Sequence, residues 1–314
     1  MKRPRHLIAG LVLLATCGAC GGAPGSPETT PTTSSFRVGE FSRPASLEGE
    51  PCGLAVTARD VWILGCSGDL SRLPKAGGEI SVKPLGGEVL SLDGLVAGSA
   101  WLWGLVSMVT SRTRDGNVVA VDVSSGSVGA PVKVGASVPM SAAETPGGLW
   151  VGMLDGRLLS IRDATVEEVA REEPLVWLAA ADGDLWTISE NGTISLRAAT
   201  GGLRVRHERA APDAIAAAAV FGALYAATPE GVVRVVTSGA PRPIPVQGTV
   251  NAIEPCGERV WLSQPDFGIR SLGADGDIES SLRLAVAPRY LACDGTVLWV
   301  LAEDGRLGSV TIGP

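Results

Sequence analysis

Histidine is almost absent from this chain: His6 and His207 are the only two in 314 residues. Their scarcity removes the commonest general acid/base and most zinc-ligand sets. There is no G-x-S-x-G elbow, so a Ser-His-Asp hydrolase would lack both its base and its strained nucleophile turn. Positive charge is short as well. The 26 Lys and Arg stand against 33 Asp and Glu, a formal net charge of −7, and the pI is near 5.0. That balance argues against a nucleic-acid partner, because phosphate binding needs a concentrated basic surface. Aromatic residues make up only 4%, and eight of them are Trp. Long apolar runs are missing except for Leu7 to Thr16 ("LIAGLVLLAT"), which falls short of the ~20 residues a membrane-spanning helix needs.

That run has the basic "MKRPRH" before it and "CGACGG" after it, a layout that resembles a bacterial lipoprotein signal. The resemblance implies an acylated cysteine at the mature N-terminus. Cys20, between Gly18-Ala19 and Gly21-Gly22, fits that role, with Cys17 as the alternative and plain secretion with cleavage near Ala19 as a third reading. Residues 1–20 are therefore set apart from the fold as a targeting segment. Loss of Lys2, Arg3 and Arg5 takes the charge from −7 to −10. Residues 21–35 ("GGAPGSPETTPTTSS") hold no core residues, and such a Gly/Pro/Ser/Thr composition makes a flexible tether. The folded domain is expected over 36–314.

Inside that domain one short pattern recurs. In "GGLWVGMLDGRLLSI" (Gly147 to Ile161) two alternating apolar stretches flank Asp155-Gly156, a dipeptide suited to a tight hairpin turn. An aromatic followed five and six residues later by a polar residue and Gly recurs at Trp62/Ser67/Gly68, Trp186/Asn191/Gly192, Tyr225/Glu230/Gly231 and Trp299/Asp304/Gly305. Trp261 reaches Gly268 one residue later. Trp101 is assigned a late turn at Asp115-Gly116, after an inserted "GLVSMVTSRTR". Proline precedes the aromatic by eleven to thirteen residues at Pro51, Pro139, Pro174, Pro212 and Pro288, consistent with entry into a strand. On this register Trp103 and Trp177 stand outside the repeat.

Seven units with a period near forty and four strand-like pieces each predict an all-β, seven-bladed β-propeller of four-stranded antiparallel blades. After Gly305 only "RLGSVTIGP" remains, too little for a fourth strand, while "FRVGEFSRP" (Phe36 to Pro44) is an orphan. Pairing the two closes the ring and removes its edges. The unit "LWV…DG…I" resembles the seven-bladed propellers of the YVTN and streptogramin-lyase-like group. That resemblance implies the architecture for about Phe36 to Pro314, but it does not fix a function. Streptogramin lyases use a histidine acid/base beside a magnesium site. Here His207 falls in a predicted outer strand ("LRVRHERA") far from the axis, so that carry-over fails.

Four cysteines remain in the domain, and four allow three pairings. Cys52 begins an inner strand and Cys66 ends the next, facing it across one hairpin; Cys256 and Cys293 end the inner strands of units 6 and 7, which converge toward the axis. Disulfides Cys52–Cys66 and Cys256–Cys293 follow. Zinc is disfavoured because no His lies near these residues and no C-x2-C pair occurs in the domain.

The expected channel-lining strands ("GLAVTA", "LDGLVAG", "VPMSAAE", "PLVWLAAA", "APDAIAAAAV", "TVNAIEPC", "PRYLAC") are small and apolar, with carboxylates scattered at Asp93, Glu144, Asp182, Asp213 and Glu254. No ring of acids and no metal-ligand spacing emerges. "NGT" at Asn191 matches a glycosylation sequon but fits the turn of unit 4. The sequence therefore points to a membrane-tethered, extracytoplasmic, non-catalytic binding module. It is expected to be a monomer without cofactor or metal, with an envelope protein, peptide or glycan as partner. The alternative is a lyase- or hydrolase-like enzyme whose catalytic group is not evident. The expected docking element is the insertion Gly104–Arg114, where Met108, Arg112 and Arg114 place a cationic, adaptable patch on an acidic protein.

Overall fold

The computed structural model describes residues 36–44, 47, 49–91, 94–109 and 113–312. Among them every regular element is a strand, and the strands form seven four-stranded antiparallel sheets. In six sheets the strands follow chain order from the inner to the outer edge. Blade 1 comprises Pro51–Val56, Asp60–Gly65, Asp69–Pro74 and Ser81–Pro84. In the seventh sheet, Pro288–Cys293, Val297–Ala302 and Leu307–Thr311 are completed by Arg37–Val38 from the other end of the domain. Arg37 pairs with Thr311 and Val38 with Val310, and Ser42 bridges Leu307. The fold is a seven-bladed propeller, closed as the sequence pattern predicts.

Burial grades across each blade. The second strand of blade 1 is buried at all six positions, because both its faces pack on neighbouring sheets. Such a strand reads as a continuous apolar run. Outer strands such as Leu203–His207 and Ile278–Leu282 face water on most positions. The turn glycines are dictated by space as well as by dihedral: Gly68 sits at φ 87°, and a Cβ there would stand 1.9 Å from the Gly87 carbonyl oxygen.

Trp62, Trp150, Trp186, Tyr225 and Trp261 are buried on the second strands of blades 1, 3, 4, 5 and 6. Four of these rings are closed over by chain from the following blade. Gly126 of blade 2 lies against Trp62, Gly201 of blade 4 against Trp150, and the Tyr225 hydroxyl donates to the Ala274 carbonyl of blade 6 at 3.2 Å. For Trp261 the cover is Phe36, edge-on at a centroid distance of 5.6 Å. Two of the indole N–H groups donate to a threonine five residues upstream, Trp62 to Thr57 Oγ1 and Trp150 to Thr145 Oγ1, whereas Trp261 Nε1 is buried without a partner among the described residues.

Blade 2 corrects the sequence register. Its second strand is Trp101–Val109 and its third Arg114–Asp122, so the turn lies between them and Asp115-Gly116 is in a strand, with Gly116 opposite Ser107. Gly116 is there for close approach: a Cβ would meet the Ser137 carbonyl oxygen at 2.3 Å. Trp103, paired with Val96 and Ala120, takes the place that Trp62 holds between Ala55 and Arg72. Trp101 is therefore the one outside the repeat.

Deleting Phe36–Ser42 removes the closing strand and the ring over Trp261. The expected result is a loss of at least ~3 kcal/mol in urea unfolding together with a red-shifted tryptophan emission. An unchanged midpoint would show that the ring holds without closure.

Candidate functional site

An antiparallel blade sends its second-to-third turns and the links between blades to one face of the ring. Its inner-to-second and third-to-outer turns go to the other. On the first face one feature stands out. The second strand of blade 2 has nine residues where the other six blades have six. At ~3.4 Å per residue this hairpin rises roughly 10 Å above its neighbours. The expected insertion is thus a continuous ladder running to the Val109–Arg114 pair, not an irregular loop. Its base is tied down by the Ser107 amide donating to the Glu88 carbonyl at 2.7 Å, and by Lys133 Nζ at 2.9 Å from Asp115.

Met108 and Val109 near the tip are 38% and 47% exposed, and Arg114 is exposed. Arg112 lies outside the described residues, as do Asp93, Cys17, Cys20 and the 21–35 tether. Of the three residues expected to make the patch, the hairpin brings Met108 and Arg114 to the same end, one residue pair apart.

The axial channel is a cavity of about 290 Å³ walled by inner strands, with Ala55, Ala97, Ala217, Trp177 and Tyr290 among its lining. Trp177 donates to the Ala214 carbonyl at 3.2 Å. Glu254 faces this cavity and accepts the Cys293 amide at 3.0 Å. The other described carboxylates of the expected scatter are placed elsewhere. Glu144 is bonded to blade 2, Asp182 sits in a turn at φ 54°, and Asp213 borders a separate cleft of about 610 Å³ lined by Pro212, Pro229 and Pro243. Among the described residues no three His, Cys, Asp or Glu side chains group as a metal site. His207 lies on the outer strand of blade 4. Asn191 is a turn residue whose Oδ1 accepts the Thr193 amide at 3.0 Å.

Both disulfides form. Cys52 and Cys66 join the first two strands of blade 1 with Cα atoms 4.9 Å apart; Cys256 and Cys293 staple blade 6 to blade 7 at 5.5 Å.

On the opposite face, Trp101 is 42% exposed beside half-buried Trp103, with ring centroids 6.4 Å apart. Trp103 Nε1 donates to Glu144 Oε2 at 2.7 Å, and Ser99 donates to Glu144 Oε1 from both its amide and its hydroxyl, at 3.2 and 2.9 Å. Asp122, paired opposite Trp101, is held at a pKa of about 2 by the Ser124 hydroxyl and by the Ser125 amide and hydroxyl. Sequence reasoning missed this group. Its trace is the doublet "WLW", two aromatics on one face of a strand.

No family model matches the chain, and no curated protein sequence matches it. Solved structures do. A catalytically inactive histidine-to-alanine variant of virginiamycin B lyase from Staphylococcus aureus with quinupristin is similar at a TM-score of 0.71. The identity is 18%, over 88% of this chain and all of that one. BamB from Moraxella catarrhalis gives a TM-score of 0.60 at 17% identity, over 83% of this chain and 85% of its own. The WD40 propeller domain of Doa1 gives 0.66 at 12%, over 88% and 97%. At these identities the likeness is one of fold.

Replacing both Cys256 and Cys293 with Ser opens the longer loop, of 37 residues, and should cost ~4 kcal/mol in urea unfolding. The Cys52/Cys66 double variant opens a loop of 14 and should cost ~3 kcal/mol. Equal midpoints for both variants and the parent would contradict the staple role.

Proposed function

We propose that this propeller is a non-catalytic interaction module, exported and anchored by an acylated Cys20, with Cys17 as the alternative anchor. A protein partner docks on the face that carries the long hairpin of blade 2. The observation behind this reading is the projecting ladder itself. It holds two apolar side chains, Met108 and Val109, in water at its tip, flanked by Arg114. Exposed apolar residues on a projection, next to a cation on an otherwise acidic molecule, suit an anchor contact to a partner that offers an apolar pocket beside acidic side chains. Arg112 precedes Arg114 by two residues in the sequence and lies outside the described residues. The basic, apolar and small-residue succession of the first twenty residues supports the anchor. The alternative of a lyase-like enzyme draws on the likeness to virginiamycin B lyase. It has no histidine among the described residues nearer the axis than His207, on an outer strand.

Two experiments test the proposal. Mass spectrometry of the native N-terminal peptide should find a diacyl or triacyl mass on Cys20, and an unmodified terminus contradicts the anchor. A photo-crosslinking residue at Met108, in cells, should capture one defined envelope protein. The same residue at Ile278, an exposed site on the outer strand of blade 6, should not. Replacing Ser107–Gly116 by a three-residue Leu-Asp-Gly turn, the solution blade 3 uses at Leu154–Gly156, should abolish the Met108-dependent complex while the fold persists. Persistence of the complex places the partner elsewhere.

A further inference from the structure

Trp62, Trp150 and Tyr225 are each met by the third-to-outer connection of the following blade. That connection spans residues 123–131 in blade 2, 198–202 in blade 4 and 273–277 in blade 6. In blade 3 it is only Asp163-Ala164, both at positive φ, 49° and 61°. A two-residue hairpin turn of this kind has no reach beyond its own strands. The ring it would have covered is Trp103. That ring is left half-buried, and a second indole, Trp101, stands beside it 42% exposed. The two planes are inclined at 43° with centroids 6.4 Å apart. At the remaining half-buried ring, Trp299, Lys75 of blade 1 crosses to Asp294 beside it, and no second indole is present.

The rim notch between blades 2 and 3 is therefore open, aromatic and negatively charged. Glu144 reaches across from blade 3 and takes three donors, Ser99 N, Ser99 Oγ and Trp103 Nε1. Gly98 makes room for it, since a Cβ there would fall 1.8 Å from Glu144 Oε2. Asp122 adds a second carboxylate opposite Trp101 in the ladder. Arg162 leans on Gly147 of the adjoining turn and is a cation at this border. This is a built arrangement: the bond from Trp103 Nε1 to Glu144 fixes the half-buried ring, and Trp101 stands exposed beside it.

The chemistry selects the ligand. Indole faces carry negative quadrupole density and attract cations within ~6 Å of the ring. Glu144 brings negative charge to the same place, yet its oxygens are already occupied by three donors, which leaves little acceptor capacity for a hydroxyl-rich ligand such as a sugar. A cation that brings no N–H group loses nothing by that. We infer that the Trp101–Trp103–Glu144 notch binds a quaternary ammonium group, a small trimethylammonium compound either free or as a headgroup. The site is on the opposite face from the blade 2 hairpin and stands independently of the partner proposed there.

Titration of the full-length protein with choline, followed by the indole N–H resonances, tests this. Choline should shift Trp101 and Trp103 with saturation in the millimolar range, while 3,3-dimethyl-1-butanol, its uncharged isostere, binds at least five-fold more weakly. Trp101→Ala, at an exposed position, should weaken choline at least five-fold without moving the unfolding midpoint. Glu144→Gln should erase the preference for choline over the isostere. Shifts caused by phosphatidylcholine vesicles as well as by choline assign a headgroup; shifts with choline alone assign a free solute. The proposal is overturned if choline does not saturate, if the isostere binds equally well, if Trp101→Ala leaves binding unchanged, or if cellobiose shifts the same two indoles and choline does not.

Discussion

The covering of one large aromatic ring by chain from the next blade is the contact on which the rest of this propeller depends. A four-stranded blade has no interior of its own, and its two faces become core only against neighbours. Trp62, Trp150, Trp186, Tyr225 and Trp261 supply the largest areas buried this way, and burying a ring of that size is worth several ordinary apolar contacts. Because each blade covers the one before it, the ring must close for the last interface to exist. Closure is achieved by the N-terminal segment, whose Phe36 packs edge-on against Trp261 just before Arg37 enters the ladder of blade 7. The Cys256–Cys293 staple ties blade 6 to blade 7 next to that seam. Covalent and non-covalent closure thus reinforce the same part of the circle.

This arrangement also decides where recognition can be built. The inner strands converge, so they admit small residues such as Ala55, Ala97 and Ala217, and the axial cavity they leave is small. Rims are freer, because a turn can lengthen or shorten without disturbing the ring contacts. Blade 2 uses that freedom on one face with its nine-residue strands. Blade 3 uses it on the other with a two-residue turn. The departures from the repeat are therefore local changes of turn length on a constant frame, which is how a superfold acquires particular functions.

Much of this frame was legible in the amino-acid order. The second strands are buried on both sides, so their apolar runs and single aromatic survive as a clear period, and the turn glycines mark the hairpins. The disulfides followed from the same register, since Cys256 and Cys293 hold equivalent places in adjacent blades. In blade 2 the sequence pattern misplaces the register by two residues, because both Trp101 and Trp103 offer an aromatic. Its Asp115-Gly116 also imitates a turn whose glycine in fact yields to the Ser137 carbonyl. The Trp103–Glu144 bond was illegible for a different reason: its partners are 41 residues apart and meet only across a blade interface. Periodicity describes each unit, but it does not say what one unit presents to the next.

The central claim is that ring cover sets the fold and that its absence at one junction opens a site. Hydroxyl-radical footprinting of the eight tryptophans by mass spectrometry tests it most directly. The account predicts that Trp101 is oxidised first and Trp103 and Trp299 more slowly, while Trp62, Trp150, Trp186 and Trp261 resist until the protein unfolds; Trp177, which lines the axial cavity, is the internal reference. Protection of Trp101 and Trp103 equal to that of Trp62, or early oxidation of Trp62 or Trp150, would contradict it.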